Sequence, residues 1–276
     1  MTAELVLNAD HLIGAGATAE VYALDDRRVL KLFRQDFPMA FAKTEYDKAR
    51  AIQACGVPAP RAMDWVEYDG RVGIVYERVQ GKSMLNEMLI PWKSHACAER
   101  MAALQHEINT KKPANLPSFK LGIRRNVQAT PLLTPAEKEA ILAVLDPLPD
   151  GDCLCHGDFH PDNIVLDHGR AVVLDWMTAC AGSPAADAAR TALILTTSEL
   201  PEGIPGPVRK YVQVLRQSFN AAYLERYCVL SGYTPPQIAA WKLPVTAARL
   251  VEKRPLRENE LLLGLIRGWI RDGGDR

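Results

Sequence analysis

The spacing of hydrophobic positions changes character about a third of the way along the chain. In the first part, short apolar runs bounded by turn residues predict strands. Leu5-Val6-Leu7 together with Leu12-Ile13 predict a first strand, and Val21-Tyr22 lead into a second. Arg28-Val29-Leu30-Lys31-Leu32-Phe33 predicts a third, with one basic residue among apolar neighbours. Strands near 62–67 and 72–76 flank Asp69-Gly70, a hairpin turn signal. A helical segment over 39–54 is closed by Gly56-Val57-Pro58-Ala59-Pro60. From Ser83 onward the spacing becomes three and four, as with Met101, Leu104 and Ile108 in an amphipathic helix over 96–108; His106 in this run reads as structural. Thr134-Pro135-Ala136-Glu137 carries a cap, a first-turn proline and a capping-box glutamate, opening a helix to about 145. Residues 110–133, rich in Lys, Pro and Asn, read as a loop-like insertion. Further helices are expected over 184–197, 206–230 and within 235–271, and there is no internal repeat. The expected class is α+β, with a small N-terminal sheet region carrying one helix (1–80), a hinge at about 77–82, and a larger, mainly helical region (81–276).

Composition narrows the setting. The 276 residues are 48% hydrophobic and 24% charged with zero net charge, which describes a globular protein with no general attraction to nucleic acid or anionic membranes. Met1 to Asn8 shows no basic region followed by an apolar one, so no signal peptide is expected. The apolar stretch 261–270 is too short for a span and contains Arg267. The six cysteines are scattered without zinc-knuckle spacing and read as free thiols in a reducing cytoplasm.

The chemistry is concentrated in His156-Gly157-Asp158-Phe159-His160-Pro161-Asp162-Asn163. A short apolar run precedes this polar loop. After it come Ile164-Val165-Leu166, a turn at Asp167-His168-Gly169, and Ala171-Val172-Val173-Leu174-Asp175-Trp176, a hairpin with a carboxylate where its second strand ends. Four residues separate Asp158 from Asn163, the interval between catalytic Asp and metal-binding Asn in phosphoryl transfer by kinases. Magnesium takes hard oxygen ligands, and the Asn163 amide and Asp175 carboxylate offer them. Asp158 offers an acceptor for the proton of a substrate hydroxyl.

Upstream features point the same way. Small residues in Gly14-Ala15-Gly16-Ala17-Thr18 let backbone N–H groups approach phosphate oxygens. Lys31, on the strand after this turn, is placed to meet the α- and β-phosphates. Glu45 in the following helix is its candidate partner, with Asp47 as a rival. Glu77-Arg78-Val79-Gln80-Gly81 reads as a linker whose backbone, at Glu77 and Val79, can bond a purine.

On these residues the chain resembles the aminoglycoside phosphotransferase and choline kinase group, relatives of the protein kinases. The resemblance runs from about Leu12 to Leu195. It rests on the turn Gly14 to Tyr22 with Lys31, on Glu45 followed at eleven residues by Gly56-Val57-Pro58, on the block His156 to Asn163, and on Leu174-Asp175-Trp176 followed by Gly182, Pro184 and Asp187. It implies a two-lobed kinase-like fold binding ATP or GTP with magnesium. In that scheme Gly14, Gly16, Lys31, Glu45, Glu77 and Val79 serve the nucleotide and Asp158 is the catalytic base. Asn163 and Asp175 hold magnesium, and His156 and Asp187 support the loop.

Two departures favour a small-molecule acceptor over a protein. Trp176-Met177 replaces Phe-Gly after the metal-binding Asp, and His156-Gly157-Asp158 lacks the Arg that would partner a phosphorylated activation loop. Members of the group phosphorylate hydroxyls of antibiotics, choline-like alcohols and sugars. Residues 201–276 hold 12 Lys and Arg against 7 Asp and Glu, a balance of +5, which argues against a polycationic aminoglycoside. A protein kinase and a nucleotide-binding regulatory protein without turnover are the competing readings. Retention of Lys31, Asp158, Asn163 and Asp175 together opposes the latter.

Overall fold

The computed structural model describes residue 7 and residues 9–16, 18–167, 169–200 and 203–272. The chain begins with strands β1 (Leu12–Ala15), β2 (Ala19–Ala23) and β3 (Arg28–Phe33), helix α1 (Met39–Ala54), and strands β4 (Ala62–Tyr68) and β5 (Arg71–Glu77). These strands form one antiparallel sheet in the order β1-β2-β3-β5-β4. Of the run Leu5-Val6-Leu7 expected in the first strand, Leu5 and Val6 lie outside the described residues.

Alternation in β3 decides which side chains face α1. Leu30 and Leu32 point to one face and pack with Val75, Tyr22 and Val66. Phe33 points to the other, with Ala42 of α1, Ala62, Val72 and Ile74. Lys31 is two residues from Phe33 and lies opposite Val21 and Ile74 in the sheet, so it shares the face that α1 covers.

A short β6 (Lys82–Ser83) precedes the helices α2 (Met84–Met88), α3 (Pro91–Asn109), α4 (Phe119–Ala129) and α5 (Pro135–Leu145). Strand β7 (Cys153–Cys155) follows, then the hairpin β8 (Ile164–Asp167) and β9 (Arg170–Val173), and β10 (Cys180–Gly182), which pairs with β7. The turn expected at 167–169 is the connection of this hairpin, and His168 within it lies outside the described residues. Helices α6 (Pro184–Thr197), α7 (Gly206–Ser231), α8 (Pro235–Ala239), α9 (Lys242–Arg249) and α10 (Leu256–Arg271) complete the chain. The chain divides into a sheet unit, Met1–Lys82 with Ile164–Met177, and a helical unit, Ser83–Asn163 with Thr178–Arg276.

Local sequence explains several helix ends. Thr134 and Glu137 form the expected capping box. Ser83 accepts a bond from the Leu85 N–H and so caps α2. Gly232 ends α7 in the left-handed conformation, at φ 76°. The loop-like reading of 110–133 is corrected by α4. Phe119, Ile123 and Val127 recur every fourth residue, Ile123 and Val127 are buried, and Ser118 caps the helix at Leu121. The Lys, Pro and Asn that suggested a loop lie mostly outside α4, and its basic residues Lys120 and Arg124 reach Asp146.

Candidate active site

In the sheet unit, a cavity of about 780 Å³ is lined on one side by Val21, Val29, Lys31 and Tyr76 of the sheet and by Glu45 of α1. The linker residues Glu77 to Gly81 and the segment Leu174 to Met177 complete its wall. Lys31 Nζ lies 2.6 Å from Glu45 Oε1, and the Tyr76 hydroxyl donates to the same carboxylate oxygen at 3.3 Å. Asp47, the rival partner, is paired with Lys43 one turn away. Burial and then the charges of Glu45 and Asp175 push the Tyr76 hydroxyl far above its ordinary pKa, so it remains a donor at all working pH values.

Backbone geometry brings Asp175 and the linker into this wall. Asp175 has φ 56°, in the left-handed region, immediately after the hairpin. The Trp176 indole N–H donates to the Val173 carbonyl, and Lys48 of α1 donates to the Met177 carbonyl at 2.5 Å. Thus α1 contributes two contacts, one through Glu45 to Lys31 and one through Lys48 to the chain beside Asp175. Gly81 has φ 139°, and a Cβ there would stand 2.2 Å from the Leu166 carbonyl oxygen, so only glycine lets the linker pass so close to β8. Glu77 and Val79 line the cavity, whereas Gly14 and Gly16 do not; from that end of the sheet the wall takes Ile13 and Val21. The Gly16 N–H is bonded to the Ala19 carbonyl at 2.8 Å.

In the helical unit, the loop His156 to Asn163 is held by its backbone. The fully buried Asp187 carboxylate accepts the Gly157 N–H at 2.9 Å and the His156 N–H at 3.2 Å. The buried His156 ring accepts the Asp158 N–H through Nδ1 at 3.2 Å, and Thr178 donates to the His156 carbonyl at 2.8 Å. Gly157 has φ 77°, and a Cβ would meet the Thr178 carbonyl oxygen at 2.8 Å, so His156-Gly157-Asp158 requires its glycine. Asn163 donates through Nδ2 to the Asp158 carbonyl at 3.0 Å, which leaves its amide oxygen as an acceptor. His160 Nε2 stands 3.5 Å from Asp158 Oδ2. Burial raises the Asp158 pKa, but His160, Arg190 and His156 outweigh it and hold the carboxyl down at about 2.

Several supporting residues escaped the sequence reading. Gln105 and Asn109, one turn apart on α3, donate to Asp187 at 2.9 and 3.1 Å. Their side-chain oxygens accept from Tyr223 and Tyr227, again one turn apart, on α7. Polar residues four apart on the buried face of an amphipathic helix were the available signal. Arg190, one turn beyond Asp187, donates to the Gly157 carbonyl and lies 2.5 Å from Glu252, which also engages Arg249 and Arg254. Among the described residues, no group of three or more His, Cys, Asp or Glu is placed to hold a metal ion.

An antiparallel five-stranded sheet with one helix and a Lys–Glu pair, joined in one chain to a mainly helical unit that carries an Asp-anchored loop, defines a protein-kinase-like fold. Residues 11–241 match the family model described as the phosphotransferase enzyme family, and the chain belongs to that family. Among solved structures, a thermostable mutant of aminoglycoside phosphotransferase APH(4)-Ia in its apo form superposes with a TM-score of 0.64 at 15% identity, covering 96% of this chain and 94% of that one. The same enzyme with ADP and hygromycin B superposes equally well. The streptomycin–ATP complex of APH(2")-IIa gives a TM-score of 0.57 at 15% identity, covering 92% and 90%. At these identities the likeness is one of fold. No curated protein matches the sequence.

Proposed function

We propose that this chain is a magnesium-dependent phosphotransferase that moves the γ-phosphate of ATP or GTP to a hydroxyl of a small molecule. The observation that carries the reading is the Asp158 loop: an ionised carboxylate on a backbone anchored from below by Asp187, in a chain of the phosphotransferase family. In the sheet unit, the Lys31–Glu45 pair with the wall of Val21, Val29 and Tyr76 supports a nucleotide in that cavity. Its apolar residues suit a base, the backbone of Glu77 and Val79 suits a purine edge, and Lys31 suits the phosphates.

Asn163 and Asp175 fit magnesium in donor chemistry, offering an amide oxygen and a carboxylate. Magnesium is commonly held by one or two carboxylates plus substrate phosphates, so a three-acid cluster is not needed. When bound, the ion neutralises charge on the phosphate oxygens. Asp158, with a pKa of about 2, is a weak base toward an alcohol. Its work is to orient the hydroxyl as a hydrogen-bond acceptor and to take the proton late, once bonding to phosphorus has made it acidic. His160 and Arg190 keep the carboxylate charged throughout.

The solved relatives named above bind aminoglycosides, which supports a small-molecule acceptor; the +5 balance of residues 201–276 argues against a polycationic one here. Six free cysteines support a cytoplasmic setting, and no helix among the described residues is long and apolar enough to cross a membrane. The test is nucleoside diphosphate release from ATP and from GTP across small alcohols, sugars and antibiotics. Turnover with at least one neutral or anionic acceptor is expected. Turnover with no compound beyond the water background overturns the reading, and efficient transfer to kanamycin-like compounds overturns the acceptor class.

A further inference from the structure

A cavity of about 430 Å³ lies within the helical unit, walled by the C-terminal end of α6, the first half of α7 and the start of α10. It shares no residue with the cavity around Lys31. Its charged lining is Arg209, Arg216 and Arg257 against Glu199 and Glu258. Glu258 is already engaged: its buried carboxylate lies 3.1 Å from Arg249 and 3.8 Å from Arg254. Arg216 is half-buried. It spends one donor on the Ser198 carbonyl, and among the described residues no carboxylate is within ion-pair distance of it. Burial opposes its charge, and the more distant Glu258 offsets this only in part.

A guanidinium has five donors in a planar fork that matches the oxygens of phosphate or carboxylate. Withdrawing such a cation from water without a counter-ion is costly unless an anion completes the arrangement. Arg257 at the second position of α10 and Arg209 in the first turns of α7 bring two more guanidinium groups to the same space. We propose that this cavity binds a small molecule bearing a phosphate or carboxylate, held by Arg216 with Arg209 and Arg257. The proposal stands whether or not the kinase reading holds. It also has a route to the loop. Glu258 in the wall binds Arg249, Arg249 reaches Glu252, and Glu252 binds Arg190, which holds the Gly157 carbonyl. The competing account is that Arg216 only closes the C-terminal end of α6, where a cation is favoured, and that Arg257 is solvated.

The experiment is a thermal melt of the full-length protein with inorganic phosphate against chloride at matched ionic strength. A rise of about 3 °C at ten times the dissociation constant is expected for wild type. The rise should vanish in Arg216→Gln and at least halve in Arg257→Gln, whose side chain is exposed and whose fold is not at risk. No rise beyond chloride, or equal rises in wild type and Arg257→Gln, overturns the proposal. Two sources of the anionic group then separate kinetically. Phosphate that competes with an acceptor marks the acceptor's own anionic end. Phosphate that changes nucleotide turnover without such competition marks a separate ligand.

Discussion

The sheet unit and the helical unit each hold a buried carboxylate, Glu45 and Asp187, and do so in different ways. Glu45 has two donors, Lys31 and Tyr76, and the Lys31 side chain keeps 25% of its exposure. Asp187 is fully buried and takes four donors, two from the loop backbone and two from α3. The pair is open to water only on the Lys31 side, since Glu45 is itself buried, so a ligand reaches the ammonium without unpacking the carboxylate. A buried carboxylate with four donors is over-determined, because losing any partner leaves a polar group unsatisfied. The difference teaches that the Lys31 ammonium, proposed to meet phosphates, is left partly open. The backbone beneath Asp158 is not.

Substitutions can break that contrast, and the largest effect should be on turnover. Asp158→Asn keeps shape and a hydrogen-bonding oxygen but loses charge and basicity, so kcat should fall by about 10²–10⁴ with nucleotide affinity retained. Single-turnover transfer alongside nucleotide titration checks this; full-speed transfer would reduce Asp158 to a brace. Asp187→Ala should follow, with a loss of roughly 3 kcal/mol or more, because four buried donors lose their acceptor. A urea midpoint close to that of wild type would show that the network is not over-determined.

On the sheet side, ATP or GTP with magnesium at a hundred times the dissociation constant should add about 2.7 kcal/mol to wild type. In Lys31→Met most of that gain should disappear while the unliganded melting temperature moves little. A variant that melts early without nucleotide would contradict the partly open character of the Lys31–Glu45 pair. The smallest effect is on acid stability. The Asp158 pKa is lowered from 3.8 to about 2, so its contribution is fully present above about pH 4 and is lost as pH falls through 2. That contribution is about 1–2 kcal/mol. Wild type minus Asp158→Asn stability, from urea titrations at pH 7 and near pH 2.5, should shrink by roughly two-thirds of this amount. A difference that stays constant with pH would detach His160 and Arg190 from the carboxylate.

Where local signals were strong, structure and sequence agree closely. The helices Met39–Ala54, Pro135–Leu145 and Pro184–Thr197 begin and end where apolar spacing, prolines and caps place them. Lys31 and Glu45 meet because strand alternation and helix period each put one side chain on the shared face. Helix α4 was hidden by the Lys, Pro and Asn around it, although its apolar positions recur every fourth residue. The supports of Asp187 were hidden for a different reason. Tyr223 and Gln105 are 118 residues apart, and no periodicity reports which two helix faces will touch.

The sequence by itself determined the strands of the first 80 residues, the helices with strong caps, the interval from Asp158 to Asn163, and the carboxylate just beyond β9, because these depend on residues near one another in the chain. The tertiary structure alone decided that Glu45 and not Asp47 meets Lys31, since α1 turns one toward β3 and leaves the other with Lys43. It also decided that Arg190 closes on the Gly157 carbonyl and that Arg216 reaches a cavity where, among the described residues, no carboxylate lies within ion-pair distance of it. Burial and the direction of a side chain are properties of packing, and packing joins residues that the chain keeps far apart.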